Sequence, residues 1–422
     1  MAKNILDGIR VLDMTMFQLG PIQGVMLAAM GAEVIKIEAP VGDPGRALFA
    51  KMPGTEGKVP YYPHMTSYFE TCNQNKKGIV LDLKQPRAQE ILYELVAKSD
   101  VFINNMRMGV AERLGADYET LKKHNPKLIY CAGNSFGSKG AEAAKPGFDF
   151  TGAARTGVFY RVPSRDGEPA HCLSGSHDQV PAMLGAFAIV AALLARERYG
   201  IGQKVEVSHL SGLIWLMQRP MQCMFYDKAD GAPPPRHRSE AGNPLHNHFK
   251  CADGQWIAFH VNDPNRYWPP MAQALGIPES VWKDDPRFNT PAARSANAKE
   301  CVTMLDKIFT EKTRDEWIKA FEGKDIVWEK VQKWEDLPTD PQVIANEFIT
   351  DYVHPIFGDT YKYVMQPFEF SETPARERGR APMLGEHTEE VLVDILGYKK
   401  EDLPKLLDEI GRPVGLEKSR TA

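Results

Sequence analysis

IRVLDMTMFQLGPIQGVMLAAMGAEVIKIE, residues Ile9–Glu38, decides the fold. Ile9–Met14 and Glu33–Glu38 are short runs rich in β-branched and apolar residues, the pattern of buried strands. Between them, Gln18-Leu-Gly-Pro21 leads into an apolar segment that closes at Gly31. It reads as a helix with Pro21 at the first position, where a missing N–H is not needed. Strand, helix and strand in so short a span make a βαβ unit, whose two strands must run parallel.

The pattern repeats along the chain. Gly78–Leu83 reads as a strand, and after Pro86 one helix face carries Ala88, Ile91, Leu92, Leu95 and Val96. Val101–Ile103 and Lys127–Ala132 read as further strands. The expectation is an α/β protein with a Rossmann-like large domain over residues 1–219, ligands binding at the carboxyl ends of its strands. The Pro-rich, charged stretch 220–242 reads as a linker, 243–330 as a smaller α+β domain, and 331–422 as linker and a C-terminal segment returning to the large domain.

Composition removes several functional classes. The chain has 422 residues, 43% hydrophobic and 25% charged, with a net charge of −4 and no basic stripe, so no nucleic-acid partner is expected. Its six cysteines are widely spaced and read as reduced thiols, which points to the cytoplasm. The N-terminus lacks the apolar core of a signal peptide, and Val180–Leu194 is too short to span a bilayer; it reads as a buried helix, and no membrane partner is expected.

Candidate chemistry is sparse. The loop Gly133–Gly140 lacks the residue order of a nucleotide-phosphate cradle, and Ser135, Ser174, Ser176 and Ser208 sit in no nucleophile elbow. His246-Asn-His248 has no third ligand nearby in sequence, so no metal is expected. Asp149, in KPGFDFTGAARTG (Lys145–Gly157), lies between two phenylalanines that would desolvate it and before small residues that would let a bulky ligand approach. On the residues alone, a helix cap is the better reading of it.

Several segments change that weighting by their order. They are Gly8–Thr15, Gln18-Leu-Gly-Pro21, Gly31–Glu38, Asn75–Lys84, Ala111–Gly115, Pro146–Asp149, Gly200–Ser208, Asp285–Phe288 and Pro382–Thr388. Together they resemble the family III CoA-transferases, the formyl-CoA transferase, CaiB and BaiF group, over almost the whole chain. The resemblance implies transfer of coenzyme A from an acyl-CoA to a carboxylic acid through a mixed anhydride and an enzyme-bound thioester. It assigns the nucleophile to Asp149, an assisting amide to Gln18, and coenzyme contacts to Asn105, Arg113, Lys76 and Met106. Coenzyme A is then substrate, with no tightly bound cofactor, and two chains form an interlocked-ring homodimer. The Pro-Gly-Phe-Asp motif is closest to transferases of phenyllactate and related acids, which implies an aromatic, branched 2-hydroxy or 2-enoic acceptor.

Two departures stand out. Glu240-Ala-Gly-Asn-Pro244 replaces a run of glycines in a mobile loop, and Ala39 replaces a coenzyme-contacting arginine, with Lys36 or Arg46 as substitutes. The rival readings are an acyl-CoA racemase or isomerase on the same fold, including intramolecular CoA transfer, and a non-catalytic acyl-CoA binding protein.

Overall fold

In the computed structural model, which describes residues 4–49, 65–161, 175–228, 237–375 and 379–414, the opening stretch forms β1 (Arg10–Met14), α1 (Leu19–Ala29) and β2 (Glu33–Glu38). Helix α1 starts earlier than the sequence suggests, so Pro21 is its third residue. The first four helical N–H groups have no intrahelical acceptor, so a proline is tolerated there too. The following elements are α2 (Ser67–Asn73), β3 (Lys76–Val80), α3 (Pro86–Ala97), β4 (Val101–Asn104), α4 (Val110–Arg113), α5 (Tyr118–His124) and β5 (Ile129–Asn134). Then come α6 (Asp149–Ala154), α7 (Val158–Arg161), α8 (Ser176–Tyr199), β6 (Gln203–Ser208), α9 (His209–Leu216) and α10 (Gln218–Asp227).

The six strands lie in the order β3-β2-β1-β4-β5-β6, and every neighbouring pair is parallel. This is the doubly wound order, in which the direction of winding reverses between β1 and β4 and leaves a crevice at the strand tips. Strand alternation feeds two cores. Leu12, Ile35 and Phe102 pack with the apolar face of α3, while Val11, Val34 and Ile103 pack with Leu27 and Ile189.

The chain divides into two compact units, one of Met1–Val158, Cys172–Lys228 and Glu347–Ala422, the other of Phe159–His171 and Ala229–Asn346. The first unit resumes at Glu347, within the stretch 331–422 read as linker and returning segment, and α10 occupies the start of the stretch 220–242. Pro220 sits in the first turn of α10, where a proline is harmless, and Ala232–Pro235 lie outside the described residues. The second unit carries the antiparallel strands β7 (His246–Lys250), β8 (Trp256–His260) and β9 (Trp328–Val331) on a core that includes Phe249, Phe309, Trp317 and Phe321.

Late motif residues close the sheet. The β3 edge bonds to Pro382–Thr388: Gly78 N donates to His387 Nδ1 (3.1 Å), His387 N to Gly78 O (2.8 Å) and Val80 N to Thr388 Oγ1 (3.1 Å). An open parallel edge would otherwise expose unpaired backbone.

Near that edge a hairpin of β10 (Ile349–Val353) and β11 (Thr360–Val364) precedes a buried histidine, His354, stacked on Phe357 at 4.2 Å. Burial, helped by the Arg380 charge, lowers its pKa to about 4 from 6.5. The folded state therefore binds fewer protons than the unfolded chain between these values, so stability declines as pH falls from 6.5 toward 4. Unfolding midpoints measured across that range should fall, and His354→Asn should flatten the slope.

Candidate active site

Where the winding reverses, a cavity of about 510 Å³ crosses the strand tips. Its wall includes Met14–Phe17 after β1, Glu38 and Ala39 after β2, Asn105–Arg107 after β4, and Gly133–Ser135 at the end of β5. Phe17 and Phe148 meet edge to face at 5.4 Å on this wall. Phe17 holds a left-handed backbone (φ 63°), and its N–H donates to Asp43 Oδ1 at 3.3 Å.

Among the polar residues on this wall, which include Glu38, Asp82, Lys84 and Arg107, one pair is hydrogen-bonded side chain to side chain. Asp178, in the first turn of the 24-residue α8, accepts at Oδ1 from His209 Nε2 at 2.6 Å, and both side chains line the cavity at 15% and 7% exposure. A carboxylate in a first turn is favoured by the helix dipole. His209 is placed by Ser208, whose hydroxyl accepts from Ser211 N (3.0 Å) and caps α9. Gly152 of α6 packs so closely on His209 that an added Cβ would overlap it.

The sequence-derived candidates converge on the turn that presents Asp178. Gly175, with φ 83°, caps α8; its carbonyl accepts from Gln18 Nε2 (2.8 Å) and its N–H donates to Asp149 Oδ2 (2.6 Å). Gln18 Nε2 also reaches Gln179 Oε1 at 3.2 Å. Asp149 opens α6, its Oδ1 accepting from Phe150 N at 2.6 Å. Both of its oxygens thus accept backbone N–H bonds, and the cavity wall contains Gly147 and Phe148 but not Asp149 among the described residues. Two carboxylates thus stand at the head of α8, Asp149 engaged with backbone N–H groups on both oxygens and Asp178 on the cavity wall.

The coenzyme candidates separate. Asn105 grips the Met16 backbone with both amide atoms (2.9 and 2.7 Å) and lines the cavity, as does Met106. Arg113 is exposed on α4, off the cavity wall. Lys76 is a correction: its ammonium is wholly buried and donates to Asp13 Oδ2 (2.6 Å), Pro21 O (2.8 Å), Asn73 Oδ1 (2.9 Å) and Cys72 O (3.1 Å), which leaves nothing for a coenzyme phosphate. Neither proposed substitute for the arginine lost at Ala39 is free. Lys36 pairs with Asp43 (2.9 Å) and Thr15 O, and Arg46 pairs with Glu38 (2.7 Å) over the Phe69 ring.

Cavity residues that the sequence did not flag include Asp178, His209, Lys84 and Arg107. Tyr68 is another neighbour. Burial, reinforced by Cys72, Asp178, Asp43 and Asp149, pushes its phenol pKa up, so it remains a hydrogen-bond donor at neutral pH. The one sequence signal for Asp178 is its place just after a glycine at the head of a long apolar run, a pattern that ordinary helix starts share.

A doubly wound sheet with a cavity at its switch point, walled by a carboxylate, defines an α/β enzyme. The chain belongs to CoA-transferase family III, whose sequence model matches residues 6–388, and is therefore a CoA-transferase acting on CoA thioesters. It is 32% identical over 405 residues to (R)-2-hydroxy-4-methylpentanoate CoA-transferase of Clostridioides difficile, covering 96% of this chain and 98% of that one. It is also 32% identical to cinnamoyl-CoA:phenyllactate CoA-transferase of Clostridium sporogenes, covering 96% of each. Among solved structures, a CAIB/BAIF family protein from Brucella suis superposes with a TM-score of 0.81 at 26% identity, covering 93% of this chain and 100% of that one.

Proposed function

We propose that the enzyme moves coenzyme A between carboxylic acids through Asp178. The observation that carries this reading is a cavity-facing carboxylate with one oxygen fixed by His209 and no hydrogen bond to Oδ2 among the described residues. In the proposed route, Oδ2 attacks the donor thioester carbon, the C–S bond breaks, and coenzyme A thiolate leaves a mixed anhydride. The thiolate sulfur then bonds to the Asp178 carboxyl carbon, and the donor acid departs as a carboxylate carrying Oδ2. The acceptor carboxylate repeats the sequence in reverse. Each step exchanges one acyl bond for another, and no net proton is consumed. A carboxylate suits this task because an anhydride conserves the thioester's reactivity. Both intermediates hydrolyse, so apolar walls such as Phe17 and Phe148 help by excluding water.

The acceptor should be a monocarboxylic acid with an aromatic or branched apolar body, a 2-hydroxy acid first, in line with the acids for which the two relatives are named. Met14, Met16, Phe17, Leu19 and Phe148 support this, since they form an apolar part of a wall that also carries Lys84 and Arg107, and a second carboxylate placed among these five side chains would lose its hydration unpaired. In a panel of acceptors read by mass spectrometry, such acids are expected to exceed oxalate or succinate by roughly 10²-fold in kcat/KM. A preference for dicarboxylates would overturn this assignment. Because a His–Asp pair also suits α-proton chemistry, the panel is run in deuterated water: acid exchange without α-deuterium uptake favours transfer, and uptake without exchange favours a racemase.

The homodimer belongs to the same proposal. Phe187, Trp215, Leu216, Phe225 and Tyr226 are all more than half exposed on α8, α9 and α10, an apolar surface that a second copy would cover. Light scattering should give a dimer mass.

A further inference from the structure

His209 does more than hold a neighbour in place. Ionised Asp178 can only accept hydrogen bonds, so the proton in its 2.6 Å contact with His209 resides on Nε2. The other ring nitrogen, Nδ1, is buried and has no hydrogen-bond partner among the described residues, so the ring's side-chain hydrogen bond there is the one to Asp178. The ring cannot swing away, because Gly152 packs against its Cβ and capped α9 fixes its backbone. Hence a rigid, shielded N–H points at one particular oxygen of the proposed nucleophile.

That oxygen changes character during the reaction. When Oδ2 bonds to the donor acyl group, Oδ1 becomes the carbonyl oxygen on the aspartyl side of the anhydride. Two carbonyl carbons then compete for the thiolate, and attack on the donor carbon only regenerates the starting thioester. A donor at Oδ1 withdraws electron density from the aspartyl carbonyl and stabilises the oxyanion that forms when sulfur adds there. We propose that His209 is a catalytic residue that, as the hydrogen-bond donor to Asp178 Oδ1, directs coenzyme A thiolate onto the aspartyl carbon and so commits the anhydride to forward transfer. This inference rests on Asp178 being the nucleophile.

The test compares wild type with two variants lacking the donor, H209F and H209M, and one retaining an N–H at similar reach, H209Q. Each is mixed with an acyl-CoA donor, quenched with hydroxylamine or borohydride, and analysed by peptide mass spectrometry, with kcat and KM measured in parallel. Wild type should yield the adduct at Asp178. H209F and H209M should form the aspartyl thioester roughly 10²- to 10³-fold more slowly with donor KM within about 3-fold, and H209Q should recover to within about 10-fold of wild type. Wild-type rates of thioester formation in H209F or H209M, or an H209Q as slow as both, would overturn the role of His209 while leaving Asp178 in place. Absence of a wild-type adduct at Asp178 would instead remove the nucleophile assignment beneath it.

Discussion

Asp178→Ala is expected to abolish coenzyme A transfer, lowering kcat by about 10⁴-fold or more while leaving the fold intact. The size of the effect follows from chemistry: without the Asp178 carboxylate the proposed anhydride does not form. Stability should change little, because the side chain is partly exposed and its hydrogen-bond partner among the described residues is His209 alone. Asp149→Ala provides the contrast. It removes the clamp on Gly175 N and the bond to Phe150 N, so the head of α8 loosens and Asp178 is less well aimed. Displacements of that kind cost about 10²-fold or less, so Asp149→Ala should retain measurable turnover. If the two variants behaved in the opposite way, the nucleophile would be Asp149. Steady-state kinetics on both, with circular dichroism as a folding control, decides between them.

Lys76→Met should have the largest effect on stability. Its ammonium is buried beneath α1 and holds Asp13, which also accepts from the Thr15 backbone and hydroxyl. Burial pulls the Lys76 pKa down to about 8. Burial also works against the charged Asp13 carboxylate, but the Lys76 and Lys36 charges outweigh it and hold that group below its usual range. Removing the lysine alone would strand a buried carboxylate, at a cost of about 3–5 kcal/mol. The space is tight as well, since a Cβ at Gly24 would lie 2.7 Å from Asp13 Oδ2 and 2.9 Å from Lys76 Cε. Denaturant midpoints should therefore drop sharply for Lys76→Met and recover largely when Asp13→Leu is added. Donor KM should stay near wild type in whatever folds, because Lys76 does not reach the cavity wall. An unchanged midpoint with a raised donor KM would return Lys76 to the coenzyme site.

Strand-helix alternation was legible because apolar period and strand length are local properties. Glu33–Glu38 forms a strand with the bounds its sequence suggests, and Ala88, Ile91, Leu92, Leu95 and Val96 are the buried face of α3. Boundaries moved where tertiary contacts intervened. β3 begins at Lys76, two residues before the expected start, because Lys76 and Lys77 pair with Val34 and Ile35 of β2. The site was less legible. Asn105 and Phe148 line the cavity and Gln18 bonds to the Gly175 turn, but nothing in the sequence separates Asp178 from Asp149 as the carboxylate the cavity presents. Asp149 has the more suggestive neighbours, whereas Asp178 looks like any acidic residue at a helix start. What distinguishes Asp178 is a histidine 31 positions away, brought beside it by the packing of α8 on α9. No local pattern carries that information.

Transfer through Asp178 requires a covalent aspartyl intermediate at that residue. Wild-type enzyme incubated with an acyl-CoA donor, trapped with hydroxylamine or reduced with borohydride, and digested for peptide mass spectrometry should carry the modification on Asp178, and Asp178→Ala should carry none. Modification at Asp149, or none in an enzyme that still exchanges acids, would contradict the account.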